Sequence, residues 1–238
     1  MTAEIKAMIF DVFGTVVDWR GGVTVACSQV FQRKQIDFDP FAFADLWRGE
    51  YQPAMERIRT GGRGYVSLDI LHRENLDRVL EKTGLSAHLT ASERDTLNHA
   101  WERLPPWPDS GASLKALRQR FLIAPCSNGS IALMARLAKF AGLPWDAIVG
   151  ADIARDYKPQ RQVYLASCAA LGFDPHEVMM VAAHNDDLEA AAAAGLKTGF
   201  FPRPSEYGPG QTTDLSASGN WDICAQDMAG LAAVLGSD

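Results

Sequence analysis

A single acidic residue follows directly on a short apolar run near the start of the chain. Residues 7–10 are all apolar, which predicts a buried strand, and Asp11 comes next, ahead of a Gly14-Thr15 turn. Ligands of open parallel α/β sheets bind at the carboxyl ends of strands, where we expect Asp11 to lie. Two residues later the chain has Phe13 rather than a second acid. A lone carboxylate with no metal-sharing partner is better suited to be a nucleophile than a metal ligand.

Strand-like and helical patterns alternate through most of the chain. Apolar runs at 122–126, 147–150, 178–183 and 198–201 are separated by helical patterns within 130–142, 162–171 and 188–194. This alternation predicts βαβ units and therefore an α/β fold with a Rossmann-like parallel sheet.

Residues 19–105 do not follow that alternation. They contain amphipathic helical stretches at 41–59 and 68–83 and no clear strand. We therefore predict an α/β core domain formed by residues 1–16 and 107–238. A helical cap domain, residues 17–106, is inserted after the first strand.

The composition argues against several classes of partner. The net charge of −6 offers no basic surface to nucleic acid. No run approaches the ~18 apolar residues needed to span a membrane, and the start of the chain does not look like a signal peptide. The four cysteines show no C-x-x-C spacing or clustering with histidine of the zinc-binding kind. We expect a protein of the reducing cytoplasm, without membrane or nucleic-acid partners.

Polar residues follow the other predicted strands, and right-handed crossovers should bring these strand ends to one edge of the sheet. The residues are Ser127, Asn128, Lys158, Asp186 and Asp187. Each also has a purely structural interpretation. Asp11 can stabilise a turn, the Ser-Asn pair can cap a helix, and the lysine can be solvated.

If these residues meet, Asp11 can attack an electrophilic carbon or phosphorus and form an ester, with the N–H groups of Val12 and Phe13 facing the substrate. Lys158 would hold the Asp11 carboxylate ionised and oriented. Tyr164, six residues after this lysine, is predicted to be half-buried with its hydroxyl near the site.

The two adjacent acids near residue 186 can divide structure and chemistry between them. Asp186-x-x-Glu189 resembles a capping box, so one acid is predicted to cap the helix that follows. The other, for which Asp187 is our candidate, is then free to pair with Lys158 or to activate water.

Taken in order, these segments resemble the haloacid dehalogenase superfamily over essentially the whole chain, and most closely its metal-independent L-2-haloacid dehalogenase branch (type II). The segments are Phe10-Asp11-Val12-Phe13-Gly14-Thr15, Ser127-Asn128-Gly129-Ser130, Tyr157-Lys158-Pro159 with Val163-Tyr164, and Asp187-Leu188-Glu189-Ala190-Ala191. Magnesium-dependent phosphatases of the superfamily usually carry an acid where this chain has Phe13 and a metal-binding acid where it has Ala183. The resemblance therefore implies a hydrolase that uses no metal and no other cofactor.

The resemblance implies a two-step hydrolysis of short (S)-2-haloacids. Asp11 would displace the halide from the α-carbon, and water activated by Asp187, with Lys158 nearby, would hydrolyse the resulting ester. The haloacid is the expected partner and the halide a product, and some relatives are homodimers.

The resemblance also implies roles for the residues around the nucleophile. The substrate carboxylate would be held by Ser127 and by the N–H groups of Val12 and Phe13. Thr15 and Asn128 would orient the nucleophile and line the pocket.

Two features depart from the usual pattern of that branch. The last motif usually has an asparagine where this chain has His184, which can replace the asparagine contact and titrate near neutrality, or can simply be satisfied by its neighbours. The usual early-cap arginine for the halide is missing from 39–46, and we choose Arg20 in its place, with Trp19 and Trp47 as pocket walls. The rival arginines are Arg48, Arg57 and Arg203.

Other functions stay open at this point. The Asp18-Trp19-Arg20 segment and residues 182–187 look like those of relatives that accept fluoroacetate. The same nucleophile can instead open a small-ring amino acid or cleave a phosphate or phosphonate ester. An idle fold retained as a binding module is the alternative outside enzymes.

Overall fold

A six-stranded parallel sheet forms the centre of the fold in a computed structural model that describes residues 4–236. The strands are β1 (Ala7–Phe10), β2 (Leu122–Ser127), β3 (Val149–Gly150), β4 (Val178–Ala182), β5 (Lys197–Phe200) and β6 (Ile223–Cys224). Their order across the sheet is β3-β2-β1-β4-β5-β6, so the strand before Asp11 is internal. The predicted α/β class is confirmed.

Helices cover both faces of the sheet and fill the long connection after β1. Five lie in the region predicted to be helical: α1 (Trp19–Lys34), α2 (Pro40–Gly49), α3 (Tyr51–Gly61), α4 (Leu68–Lys82) and α5 (Ala91–Asn98). The others are α6 (Ser110–Leu117), α7 (Ile131–Ala141), α8 (Ala151–Ala154), α9 (Arg161–Leu171), α10 (Asn185–Ala194) and α11 (Met228–Gly236).

The strand register brings the polar strand ends together. Phe10 pairs with Pro125 of β2 and with Val181 of β4, so these strands end at nearly the same level. The backbone N–H of Asp11 continues the ladder by donating to the carbonyl of Val181 at 3.0 Å. The nucleophile candidate is therefore fixed by its own backbone at the centre of the carboxyl edge.

Alternate residues of β1 face opposite sides of the sheet, as strand geometry requires. Met8 and Phe10 belong to a hydrophobic cluster with residues of α6, α7 and α11. Ala7 and Ile9 belong to a second cluster with residues of α9 and α10. All four side chains are completely buried, which makes β1 a rigid support for the loop that follows it.

Helices α1–α5 form a cap region that is joined to the core by aromatic contacts. The ring of Trp101 stacks on Trp19 with centroids 6.3 Å apart and meets Trp47 edge-on at 5.6 Å. Phe13 also meets Trp101 edge-on at 5.6 Å. Phe13 lies two residues after Asp11, so this aromatic contact packs the cap region against the loop that carries the nucleophile.

The chain enters and leaves the cap region at one place. The N–H of Asp18 donates to the carbonyl of Pro105 at 2.9 Å, and that of Trp107 donates to the carbonyl of Val16 at 3.0 Å. This side-by-side arrangement supports a boundary near residues 17–106. The division into two domains stays a prediction, and residues 1–3 and 237–238 of the predicted core lie outside the described residues.

Several details differ from the sequence prediction. The stretch 41–59 is divided between α2 and α3, with Glu50 between them, and β6, α8 and α11 were not predicted. The predicted capping role of Asp186 or Asp187 is wrong, because α10 begins at Asn185 with His184 as its N-cap. In residues 4–236, no helix is both long and apolar enough to cross a membrane.

The sheet-facing side of α7 gives a stability prediction. Leu137 is buried and Ile131 on the same helix is 45% exposed. Leu137→Ala should lower the free energy of unfolding by roughly 2–5 kcal/mol, because it leaves a cavity under the helix. Ile131→Ala should change it by less than about 1 kcal/mol. Urea titration followed by circular dichroism measures both, and equal losses would contradict the assigned packing.

Candidate active site

The Asp11 carboxylate lies at the centre of a hydrogen-bonded group at the carboxyl edge of the sheet. Its Oδ1 accepts from Lys158 Nζ at 2.8 Å. Its Oδ2 accepts from the Thr15 hydroxyl at 2.7 Å and lies 3.1 Å from His184 Nδ1. Asp11 therefore has one partner on one oxygen and two on the other, although it comes from a different strand than the lysine and the histidine.

Lys158 joins Asp11 to a second carboxylate. Its Nζ also donates to Asp187 Oδ2 at 2.5 Å, and the other oxygen of Asp187 accepts from the Tyr164 hydroxyl at 2.5 Å. The backbone N–H of Lys158 donates to Asn128 Oδ1 at 2.7 Å, which fixes the start of the side chain. Residues from four chain segments thus meet as the sequence analysis predicts.

Burial and charge act on the three ionisable groups in opposite directions. Burial opposes charge on Asp11, but the Lys158 ammonium and His184 outweigh it, so the pKa of the Asp11 carboxyl is lowered. Burial also opposes charge on Lys158, yet the two carboxylates raise the pKa of its ammonium. Burial, only partly offset by Lys158, raises the pKa of Asp187. Asp11 is thereby kept ionised as a nucleophile needs, while Asp187 is the better proton acceptor.

His184 lies between two carboxylates. Its Nε2 is 2.8 Å from Glu206 Oε2, and its Nδ1 faces Asp11. Burial disfavours its charged form, but Glu206 and Asp11 raise its pKa well above the ordinary value. The titration near neutrality that the sequence analysis expected is therefore moved to higher pH.

Sequence analysis missed Glu206. It follows β5 by six residues in an irregular segment, so neither strand-end position nor helical periodicity marks it. The side chain is buried, and its Oε1 accepts from Trp19 Nε1 at 2.9 Å. A Cβ on Gly14 would lie 2.0 Å from the same oxygen, so the glycine of the Gly14-Thr15 turn makes room for this carboxylate.

The structure also places the other predicted residues of the core. Thr15 is buried, and its hydroxyl accepts from the N–H of Ala183 at 3.0 Å. Ser127 is buried, and its hydroxyl accepts from the N–H of Gly129 at 3.0 Å. Val12 is buried beside the nucleophile, and Phe13 lines the cavity above it.

Arg20 and Trp47 are not in the cavity as the sequence analysis expected. Arg20 forms a two-point ion pair with Asp45 at 2.7 and 2.8 Å, and Asp45 rather than Arg20 lines the cavity. Trp47 is buried inside the cap, where its indole N–H donates to the carbonyl of His72. Trp19 does line the cavity.

Arg48 is the arginine that reaches the cavity. Its guanidinium lies 4.0 Å from the ring centroid of Tyr51 and 5.6 Å from that of Trp19. Its Nε is buried without a hydrogen-bond partner. The two remaining rivals have other partners, since Arg57 pairs with Glu50 and Arg203 with Asp109.

The cavity has a volume of about 860 Å³ and lies between the core and the cap region. Its core wall includes Asp11, Phe13, Asn128, Lys158, His184 and Asp187, and its cap wall includes Trp19, Arg48 and Tyr51. The arrangement offers an ionised nucleophile, a proton acceptor and a cation within one space. These are the components of covalent hydrolysis.

The donor set does not fit a divalent metal between the two central carboxylates. The Lys158 ammonium already lies within hydrogen-bond distance of both Asp11 and Asp187. Within residues 4–236, no group of three or more His, Cys, Asp or Glu side chains is arranged to hold a metal ion. Metal independence remains a prediction of the sequence analysis.

Comparison with known proteins agrees with this geometry. A model of haloacid dehalogenase-like hydrolases matches residues 5–195. The chain belongs to this family. A defluorinating L-2-haloacid dehalogenase of known structure shares 51% identity with this family member, with a TM-score of 0.95 over 97% of this chain and 95% of that one. A second L-2-haloacid dehalogenase structure shares 43% identity, with a TM-score of 0.94 over 98% and 100% of the two chains. The (S)-2-haloacid dehalogenase 4A of Burkholderia cepacia is 27% identical over 96% of this chain and 98% of its own length.

The contact between Gly14 and Glu206 gives a second stability prediction. Gly14 has a φ of +91°, so Gly14→Ala combines backbone strain with a steric clash. The strain alone costs about 1–3 kcal/mol, which should lower Tm by roughly 2–12 °C. Gly111→Ala on α6 is the matched control, because a Cβ there meets nothing within 4 Å and alanine favours a helix. Thermal unfolding measures both, and a Gly14→Ala variant as stable as the control would contradict the close approach.

Proposed function

We propose that this haloacid dehalogenase-like hydrolase converts short-chain (S)-2-haloacids to 2-hydroxyacids through an ester on Asp11, without a metal. The arrangement in which Lys158 contacts both Asp11 and Asp187 carries the proposal, because it supplies a nucleophile, a cation and a base without a metal ion. The position that holds an acid in related phosphatases is occupied by Phe13. The two structural relatives above, both L-2-haloacid dehalogenases, support the same reaction.

In the first step, an oxygen of Asp11 attacks the halogen-bearing carbon as the carbon–halogen bond breaks. Oδ1 is the attacking oxygen in this proposal, because it accepts from Lys158 alone, whereas Oδ2 faces both Thr15 and His184. The substrate carboxylate is held by Ser127 and by the N–H groups of Val12 and Phe13, as the family resemblance implies. The products of this step are the ester and the halide ion.

In the second step, water attacks Cγ of the ester and gives a proton to Asp187. The Cγ–Oδ1 bond then breaks, and the departing alkoxide takes a proton from Lys158. The proton on Asp187 returns to Lys158 along the hydrogen bond between them. Asp11 is left as a carboxylic acid that carries the oxygen of the water, and it releases the remaining proton to solvent. The sum is one haloacid and one water converted to one hydroxyacid, one halide ion and one proton, with the protein restored.

Arg48 receives the leaving halide in this proposal. It faces the cavity from the cap side, and its Nε is a buried donor without a protein acceptor. A halide ion leaving opposite the Asp11 side chain would satisfy this donor and the positive charge together.

Three further statements remain proposals. Residues 17–106 act as a cap that excludes water from the cavity, fluoroacetate is among the substrates, and the protein works in the cytoplasm as a homodimer. Similarity to a defluorinating L-2-haloacid dehalogenase supports the second of them.

Halide release in EDTA tests the reaction. L-2-chloropropionate and fluoroacetate should each yield halide at a rate unchanged by EDTA, and Asp11→Asn should reduce release to background because the nucleophile is lost. In ¹⁸O-water, a single turnover should place the label in Asp11 rather than in the hydroxyacid, as measured by peptide mass spectrometry. Label in the product alone would show direct attack by water. The absence of halide from both substrates would redirect the search to phosphate esters and strained rings.

Paired arginine variants test the halide site. Arg48→Gln should lower kcat/KM by roughly 10²-fold, the usual cost of losing a donor to developing negative charge. Arg20→Gln should stay within a few-fold of the wild type, because Arg20 is occupied by Asp45. Steady-state kinetics with chloro- and bromo-substrates measures both. A larger loss of kcat/KM in Arg20→Gln than in Arg48→Gln would show that Arg20 binds the halide.

A further inference from the structure

The buried carboxylate of Glu206, the imidazole ring of His184 and the nucleophile Asp11 form a chain of contacts within the site. Glu206 Oε2 is 2.8 Å from His184 Nε2, and His184 Nδ1 is 3.1 Å from Asp11 Oδ2. Neither the histidine nor the glutamate has a part in the chemistry proposed above. Both lie on the side of Asp11 opposite Lys158.

We propose that Glu206 is a positioning residue that holds His184 as an imidazolium, and that this imidazolium, together with Thr15, stabilises the oxyanion formed at Asp11 Oδ2 when the ester is hydrolysed. The inference rests on the proposed function, since it concerns the second step of that reaction.

The geometry requires a ring that donates from both nitrogens. A neutral imidazole has one N–H and one lone pair. With a carboxylate oxygen at each nitrogen, a neutral ring would direct its lone pair at either Glu206 or Asp11. The protonated ring donates to both, and it places one positive charge between two negative ones.

Glu206 is built into this position. Its other oxygen accepts from Trp19 Nε1, and Gly14 has no side chain where the carboxylate passes. The segment that carries it is tied to the nucleophile loop, because Arg203 Nε donates to the carbonyl of Thr15 at 3.0 Å. The N–H of Glu206 donates to the carbonyl of Arg203 at 3.1 Å. These contacts fix the position of the Glu206 carboxylate, and its hydrogen bond to Nε2 orients the ring so that Nδ1 faces Asp11.

The imidazolium assists the second step more than the ground state of the ester. In the ester, Oδ2 is a carbonyl oxygen with no net charge, and attack by water on Cγ turns it into an oxyanion. A preorganised donor that bears a full positive charge is worth most where charge develops. Thr15 already donates to the same oxygen, so the two side chains form an oxyanion hole with one neutral and one charged donor.

The charged groups around His184 determine at which pH the ring loses its proton, and therefore whether that loss affects the rate near neutrality. Asp11 and Glu206 contact the ring, Tyr207 is next to Glu206 in the chain, and its pKa is raised to about 12 by burial and by Glu206. The other charged groups that line the cavity are Lys158, Arg48, Asp187, Asp186, Glu189, Asp45 and Asp214. Because both contacting groups are carboxylates, His184 stays protonated through neutral pH in the wild type, and its titration should not appear in the rate there.

Glu206→Gln separates charge from geometry. The amide oxygen can still accept from Trp19, and the amide N–H₂ can donate to Nε2 of a neutral ring whose Nδ1–H still faces Asp11. We expect kcat to fall roughly 10- to 100-fold with little change in KM. Since only the protonated ring carries the charge, and loss of the Glu206 charge lowers the pKa of His184, the remaining kcat should decrease as pH rises, at lower pH than in the wild type.

Three readouts distinguish this role from a general loss of structure. With L-2-chloropropionate, Glu206→Gln should show a burst of chloride equal to the enzyme concentration followed by slow turnover. Intact-protein mass spectrometry should show the Asp11 ester accumulating. His184→Ala should have a similar effect, and the double variant should be no slower than His184→Ala alone, because Glu206 acts through the ring. Glu81→Gln, at an exposed position on α4, is the control and should match the wild type.

The outcomes are distinct. A wild type that releases no halide overturns the proposed function itself. A wild type that releases halide, with Glu206→Gln equal to it in kcat, burst and pH profile, overturns only the role of Glu206. Additive losses in the double variant, or losses without ester accumulation, also overturn it.

Discussion

The contact of one ammonium group with two buried carboxylates governs the arrangement of this site. Two carboxylates buried close together repel each other and lose their hydration, and removal of the cation between them would leave Asp187 without a cation and Asp11 with His184 alone. Lys158 meets this requirement from the loop after α8, while Asp11 comes from the loop after β1 and Asp187 from the first turn of α10, which follows β4. Three crossover connections must therefore be complete before any of the three charges is stable. The charge pairing couples formation of the sheet to formation of the site, so the reactive group is present only in the folded protein.

The same loop joins this charged group to the cap region. Phe13 faces Trp101 two residues after the nucleophile, and Gly14 passes close to Glu206. A carboxylate at position 13 would have lost the edge-on contact with Trp101 and would have been buried among aromatic rings, which is costly unless the charge is paired. The aromatic contact and the absence of a second acid are thus one adaptation. It leaves an apolar ring beside the nucleophile, while the cap side of the cavity carries Asp45, Arg48 and Gln52 as well as Trp19 and Tyr51.

Sequence alone predicted the features that local patterns encode. Strand-end positions of Asp11, Lys158 and Asp187 follow from short apolar runs and parallel topology, and all three meet in the structure. Arg20 is excluded as the halide ligand by its ion pair with Asp45, which lies 25 residues away in the chain. Arg48 has no such ion pair with any described residue and lines the cavity. Glu206 lies in an irregular segment, where no periodicity marks a buried acid. Such pairings depend on tertiary packing and carry no local signal.

The positions of the charges also divide the two chemical steps between the two sides of the cavity. The charges of Lys158, His184 and Arg48 offset those of Asp11, Asp187 and Glu206 before an anionic substrate enters. The other acids that line the cavity, Asp45, Asp186, Glu189 and Asp214, and the net charge of −6 oppose its approach. Cleavage of the carbon–halogen bond depends on the halide, and the donor placed to meet the halide lies in the cap. Hydrolysis of the ester is the same for every halide, because the halide has already left, and its donors lie on the core. Variation in the cap can therefore change which halide is accepted, fluoride included, while the core that completes turnover stays unchanged.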